Sequence, residues 1–268
     1  ERQNAVDHLN LVQSKGFGHS RAGAPYIIAD GVFGRDGCEL DIASSVLKKI
    51  KVPSFVGMLD SLVVLSHITG HILAGYAGAI KNVAMGMSCR PTKQVQHSSL
   101  RPHIIREKCA LCRCCMEICP VKAIAQRGNT AEIDKALCLG CGECLCACKF
   151  DAVSVNWDED EDIFARRMAE TAQAILDKFK NKLFINFAWD ISKECDCIST
   201  AKEEIIAADL GILASSDILA LEKATVDLVR QTGKDFPGGN RADKMLSAGH
   251  RAGLGNLEYR LIEIVNRP

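Results

Sequence analysis

The chain carries no excess of charge of either sign. Lysine plus arginine and aspartate plus glutamate each number 33, so the formal net charge is zero. That removes the electrostatic footprint on which nucleic-acid binding depends, and it gives no reason to expect an anionic membrane surface as partner. Long apolar runs are missing as well. No stretch reaches the roughly 18 consecutive apolar residues of a membrane-spanning helix, and no signal-peptide pattern opens the sequence as given. The first residue is Glu1 rather than Met, so a segment N-terminal to it is expected to be missing.

Cysteine, by contrast, is plentiful, at 14 in 268 residues. In a small secreted chain that number would indicate a disulfide framework. Here most of the cysteines fall in one metal-type run, which makes a reducing cytoplasm the expected compartment. Hydrophobic residues at 47% are enough for a substantial core.

Residues Cys109, Cys112, Cys115 and Cys119-Pro120 have the spacing Cys-x2-Cys-x2-Cys-x3-Cys-Pro. Cys138, Cys141, Cys144 and Cys148 repeat it, with Lys149 where the second Pro would stand. This is the bacterial ferredoxin run, duplicated. Three thiolates two residues apart wrap one cubane, because the backbone between them bends tightly and aims N–H groups at the cluster sulfurs. The fourth thiolate of each run crosses to the other cluster. One 4Fe–4S cluster is therefore expected on Cys109, Cys112, Cys115 and Cys148, and a second on Cys138, Cys141, Cys144 and Cys119. Lys149 removes no ligand and places a cation beside a cluster. The repeat continues past the cysteines, since Pro120-Val-Lys-Ala-Ile124 answers Lys149-Phe-Asp-Ala-Val153. Two zinc sites would also use eight thiolates, but zinc modules usually separate their cysteine pairs by a longer loop. Cys114 and Cys146 are left over and read as small apolar fillers, as do Cys38 and Cys89. Exposed cubanes are oxygen-sensitive, which suits an anaerobe.

Around this run the sequence alternates helical and strand patterns. Helices are expected over 4–17, 42–50, 162–180, 217–231 and 241–249. Strands are expected over 25–31, 38–42, 61–66, 183–188, 209–214 and 257–265. Asp217 reads as a helix cap. Such alternation implies an α/β fold with a mainly parallel sheet and helices on both faces. The domain reading is an α/β half over 1–102, a two-cluster ferredoxin-like (α+β) insert over 103–155, and the second α/β half over 156–268.

Stretches along nearly the whole chain resemble one family. They are Ala24-Pro-Tyr-Ile-Ile-Ala-Asp-Gly31, Ser66-His-Ile-Thr-Gly-His71, Gly78-Ala-Ile-Lys-Asn82, Met85-Gly86, Gln96-His97, the cysteine runs, Cys195-Asp-Cys197 and Asp209-Leu-Gly-Ile-Leu-Ala-Ser215. With them the chain resembles the iron–sulfur, ferredoxin-containing members of domain-of-unknown-function family 362. The resemblance implies the inserted dicluster module and an extra α/β segment before Glu1. It implies no reaction.

A second constellation lies where open α/β sheets bind ligands, beyond the carboxyl ends of strands. Asp30, the His67–His71 pair, and Asp190 with Cys195 and Cys197 fall at such ends. His67, His71, Lys81 and His97 are candidate catalytic groups for a small anionic substrate. Cys195 and Cys197 are candidate further metal ligands. The competing reading makes each histidine structural and both thiols inert. Glycines at 70, 75, 78 and 86 let a backbone approach something closely. The remaining histidines, His8, His19, His103 and His250, read as surface or structural.

Two functions follow. In the first, an iron–sulfur redox protein moves electrons between a ferredoxin- or flavodoxin-type partner and a small-molecule or metal site on the α/β domain. In the second, the chain is a non-catalytic electron carrier or accessory subunit that docks a larger oxidoreductase. Convergence of His67, His71, Lys81 and His97 on one pocket favours the first; scatter favours the second.

Overall fold

Alternation of buried and exposed side chains organises the central sheet. The computed structural model describes residues 4–42, 46–71, 73–96, 102–119, 121–138, 144, 147–150, 152–154, 161–195 and 204–264. In order, the α-helices among them are α1 (Ala5–Ser14), α2 (His19–Ala22), α3 (Ala79–Lys81), α4 (Arg90–Gln96), α5 (Cys114–Ile118), α6 (Glu161–Leu176), α7 (Ile218–Gln231) and α8 (Arg241–Arg251). The strands are β1 (Cys38–Asp41), β2 (Lys49–Val52), β3 (Ser61–His67), β4 (Thr69–His71), β5 (Gly75–Ala77), β6 (His103–Ile104), β7 (Ile124–Arg127), β8 (Thr130–Ile133), β9 (Val153–Ser154), β10 (Asn181–Ala188) and β11 (Gly211–Ser215).

The main sheet has three strands in the order β11-β10-β3. β3 runs parallel to β10, with Leu65 opposite Ile185, and β11 runs antiparallel to β10. Val64, Ser66, Phe184, Asn186, Ala188 and Leu213 point to the buried face. Val64, Phe184, Ala188 and Leu213 belong to one buried cluster with residues of α6 and α7, among them Phe164, Met168, Ile175, Leu219 and Val226. The opposite face is open among the described residues, with Val63 and Leu65 each 57% exposed and Ile212 61% exposed. The chain is thus mixed α/β. The described sheet has one parallel and one antiparallel pairing, where the strand–helix alternation suggested a mainly parallel sheet covered on both sides.

Three further expectations meet a different local structure. Residues 25–28 are irregular and 29–31 begin a turn, where a strand was expected, and Ile27 is exposed; a short apolar run without a partner strand cannot satisfy its backbone in a ladder. Of the helix expected over 42–50, residues 43–45 lie outside the described residues, and its end enters the period-2 run Lys49-Ile50-Lys51-Val52, which makes β2 and pairs antiparallel with β1. Residues 257–264 carry no strand; they lie along the surface, with the Tyr259 hydroxyl donating to Asp227 at 2.9 Å. Asp217 caps α7 as expected, its Oδ1 accepting the N–H groups of Leu219 and Ala220 at 2.9 Å.

The cysteine-rich segment has a core of its own. Cys115, Cys119, Ala123, Ile124, Ala131, Cys144 and Val153 are buried together. Two small antiparallel pairings, β7 with β8 and β6 with β9, frame them.

Candidate metal centre

Cys109, Cys112, Cys115 and Cys148 line one cavity, with Ile104, Leu111, Arg113, Ala131, Phe150 and Val153 among the other walls. Its enclosed volume is about 20 Å³, the rest of the space between its walls being open to solvent. The four sulfurs share one electrostatic field: burial first, then the sulfurs of Cys112, Cys109 and Cys148, push the Cys115 thiol above its ordinary value. Crowded thiols of this kind are relieved by a cationic group that takes them as thiolates.

The backbone supplies donors to the sulfurs. Ala131 N–H points at Cys109 Sγ at 3.4 Å, and Ala152 N–H points at Cys148 Sγ at 3.3 Å. In the other half, Ala123 N–H points at Cys119 Sγ at 3.2 Å. Cys119 to Ala123 and Cys148 to Ala152 are equivalent positions of the internal repeat, so the same N–H contact to sulfur is made twice.

Local backbone conformation makes this possible. Leu111 and Arg113 have φ of 48° and 68°, and Lys122 has φ of 53°. Left-handed residues among right-handed ones turn successive N–H groups to one side, the arrangement that receives anions and cluster sulfurs. None of the three is glycine, and the conformation costs each of them roughly 1–2 kcal/mol. In the second run the positions equivalent to Leu111 and Arg113 are Gly140 and Gly142, the residue type that takes positive φ freely. Those glycines were the available sequence signal for the loop shape, and the three alanine N–H donors had none.

Among the described residues no group of three or more His, Cys, Asp or Glu side chains converges on a point that could hold a single metal ion. A zinc ion would need four ligand atoms within about 2.3 Å of one centre. A cubane instead presents its irons at separate corners, so its thiolates stand around a volume. Sulfurs lining one cavity, with backbone N–H groups aimed at them, are a donor set that suits an iron–sulfur cofactor.

The second constellation does not assemble in the same way. His67 Nε2 lies 2.8 Å from the carbonyl of Trp189, to which it donates. His71 is buried; its Nδ1 accepts the N–H groups of Leu73 and Ala74 at 3.1 and 3.0 Å, and its ring stacks on Phe164 at 6.3 Å. Lys81 is half-buried at the end of α3. Neither the cysteine-lined cavity nor the wider groove between α6 and α8 has His67, His71 or Lys81 in its walls. Asp30 faces Lys93 at 3.7 Å, and Asp190 N–H donates to Asp209 at 2.9 Å. Close approach at the glycines is to the chain itself. A Cβ at Gly70 would collide with the carbonyl of Lys193, and one at Gly78 with the carboxyl of Glu222. Cys195 is buried and disulfide-bonded; it offers a thiolate only on reduction. His97, Cys141, Cys146 and Cys197 lie outside the described residues. Cys89 is fully buried, its thiol pushed up to about 11 by burial and then by Asp30, as a core filler would be.

Part of the chain is similar to proteins that include an iron-sulfur subunit and a ferredoxin. It is 30% identical over 67 residues to hydrogenase-4 component A of Escherichia coli, covering 25% of this chain and 33% of that one. Over 68 residues it is 37% identical to a putative iron-sulfur subunit of dimethyl sulfoxide reductase from Halobacterium salinarum, covering 24% and 26%. An uncharacterized ferredoxin of Methanocaldococcus jannaschii is 38% identical over 50 residues, covering 19% and 30%. The chain spans about a third or less of the length of these three relatives. The chain belongs to the family described as domain of unknown function (DUF362), whose match covers residues 1–227.

Proposed function

We propose that the protein is an electron carrier holding two 4Fe–4S clusters, one on Cys109, Cys112, Cys115 and Cys148 and the other on Cys138, Cys141, Cys144 and Cys119. The observation that carries this reading is the lining of one cavity by all four cysteines of the first set, two of them receiving backbone N–H groups. Similarity to a putative iron-sulfur subunit of a reductase and to a ferredoxin supports it.

When bound, a cluster supplies a one-electron redox centre. The chain's own residues hold and tune it. N–H donors from Ala131 and Ala152 favour the more negative, reduced state. Ile104, Ala131, Ala152 and Val153 wall the site with apolar groups and limit water. Arg113 stands in the cavity wall and Lys149 beside Cys148, so both add positive potential.

Of the two functions raised by the sequence, the carrier is favoured. His67 and His71 each hold a backbone group, and the glycines pack on their own chain. The partner is a redox protein or a larger oxidoreductase. No helix among the described residues is long and apolar enough to cross a membrane.

Anaerobic purification followed by iron and acid-labile sulfide analysis tests the proposal. About eight irons and eight sulfides per chain are expected for two cubanes, with visible absorbance that bleaches under dithionite. Stoichiometric zinc without sulfide would overturn it.

A further inference from the structure

The main sheet ends on β11, and that edge is bare. β11 pairs with β10 on one side, and among the described residues no strand pairs with it on the other. Proteins blunt a free edge with lysine, proline or a bulge. Gly211-Ile-Leu-Ala-Ser215 has no charged residue and no proline. At the opposite edge the Asn82 side chain already donates to the Leu65 carbonyl of β3 at 2.8 Å.

The chain also carries an extended segment that has nothing to pair with. Residues 257–264, Leu-Glu-Tyr-Arg-Leu-Ile-Glu-Ile, make no backbone hydrogen bond among the described residues. Leu261, Ile262 and Ile264 are 56%, 70% and 91% exposed. The side chains nevertheless alternate as in a strand. Leu257 packs against the main core, and Tyr259 donates its hydroxyl to Asp227 of α7 at 2.9 Å. Glu258 and Arg260 are exposed.

The segment begins beside the bare edge and runs along it. Asn256 N–H and Nδ2 donate to Asp217 Oδ2 at 2.9 and 3.1 Å, and Asp217 stands two residues past the end of β11. Gly255 permits this approach, since a Cβ there would collide with the Asp217 carboxyl. α7 leaves Asp217 and packs back over β10 and β11. A segment that passes from Asp217 to Asp227 therefore runs antiparallel to β11. We propose that residues 257–264 close onto the free edge of β11 as a fourth, antiparallel strand of the main sheet. Leu257, Tyr259 and Leu261 stay on the α7 side, the face on which Leu213 is buried. About half of the segment's N–H groups then find carbonyls on β11. Closed, this strap denies the edge to a strand from another molecule; open, it offers one. Closure needs no iron, so it stands apart from the cluster reading.

Hydrogen–deuterium exchange of the whole chain under argon, read by mass spectrometry, tests this. About half of the amides of residues 257–264 should exchange at least about tenfold more slowly than in a free peptide of the same sequence. Leu261→Pro and Ile262→Pro remove neighbouring N–H groups, one of which faces β11 and the other solvent, where proline is tolerated. One variant should therefore lose the protection and the other keep it. The variant that loses it should also exchange faster over Gly211–Ser215. Rapid exchange throughout 257–264 in the unmodified chain would overturn the proposal, and so would equal effects of the two prolines. Protection that appears only as protein concentration rises, together with a dimer in sedimentation, would assign the edge to a second copy and overturn it as well.

Discussion

Lys122 holds a left-handed backbone so that Ala123 can turn its N–H back onto Cys119. Its side chain is exposed and makes one long hydrogen bond, from the ammonium to the Glu117 carbonyl at 3.4 Å, so little but the backbone cost is at stake. Lys122→Gly is expected to raise stability by about 1 kcal/mol, and the β-branched Lys122→Val to lower it by at least about as much. Urea denaturation of the iron-loaded protein under argon measures both, and equal stabilities would mean that the turn is not strained. Glu222 presents a different problem, that of a fully buried carboxyl. Its Oε1 accepts from Ala79 N–H at 2.7 Å and from Asn186 at 3.2 Å. Its Oε2, the Tyr76 hydroxyl and Asn186 Oδ1 are buried without a close hydrogen-bond partner. Burial raises the Glu222 carboxyl above its ordinary value, against the lowering pull of Tyr76, Ala79 and Asn186. A proton kept on Glu222 supplies a donor in a cluster short of donors. The folded protein then holds this proton after the unfolded chain has released it. Stability from this group is full below the unfolded value near 4.5 and is lost as pH rises through the folded value. Glu222→Gln, which cannot ionise, should flatten that slope. Denaturation midpoints taken from about pH 5 to 8 would show it, and an unchanged slope would mean the carboxylate is charged in the fold.

At the scale of elements, the central sheet divides into two faces with different demands. Phe184 is 1% exposed within the main core, while Ile212 on the neighbouring strand is 61% exposed. Phe184→Ala is expected to cost about 3–5 kcal/mol, and Ile212→Ala to change stability by no more than about 0.5 kcal/mol. Thermal or chemical denaturation of the two variants decides it; comparable losses would mean that the open face is covered in solution. The β1–β2 pair shows the opposite lesson. Its second strand alternates Lys-Ile-Lys-Val with the isoleucine and valine buried, and that alternation is stronger than the helical spacing read across the longer window. The segment from Gly70 to Gly86 is built on tight internal contacts, so its glycines at 70 and 78 answer to Lys193 and Glu222 rather than to a ligand.

The whole molecule has two hydrophobic cores among its described residues, one beneath the main sheet and one among the cysteines. If the cysteine runs share ligands as proposed, damage to one centre is felt by the other. Cys141→Ala should lower iron from about eight per chain to about four or fewer, whereas Cys114→Ala should leave it unchanged. Retention of about eight irons after the first change would redraw the ligand map. A loss after the second would bring Cys114 into it. Much of this was legible in the chain itself. The cysteine spacing, the duplication beyond it, the Asp217 cap and the runs that become β3, β10 and α6 follow from short-range chemistry: periodicity, capping, and the fixed reach between thiolates. What tertiary structure alone decided were matters of long-range partnership. Packing turned His67 and His71 to backbone groups, filled the glycine gaps with the chain's own atoms, covered one face of the sheet among the described residues, and left Cys112 open while burying Cys115. A side chain's neighbours across the fold are not written in its local sequence, because burial and pairing are settled by residues far away along the chain.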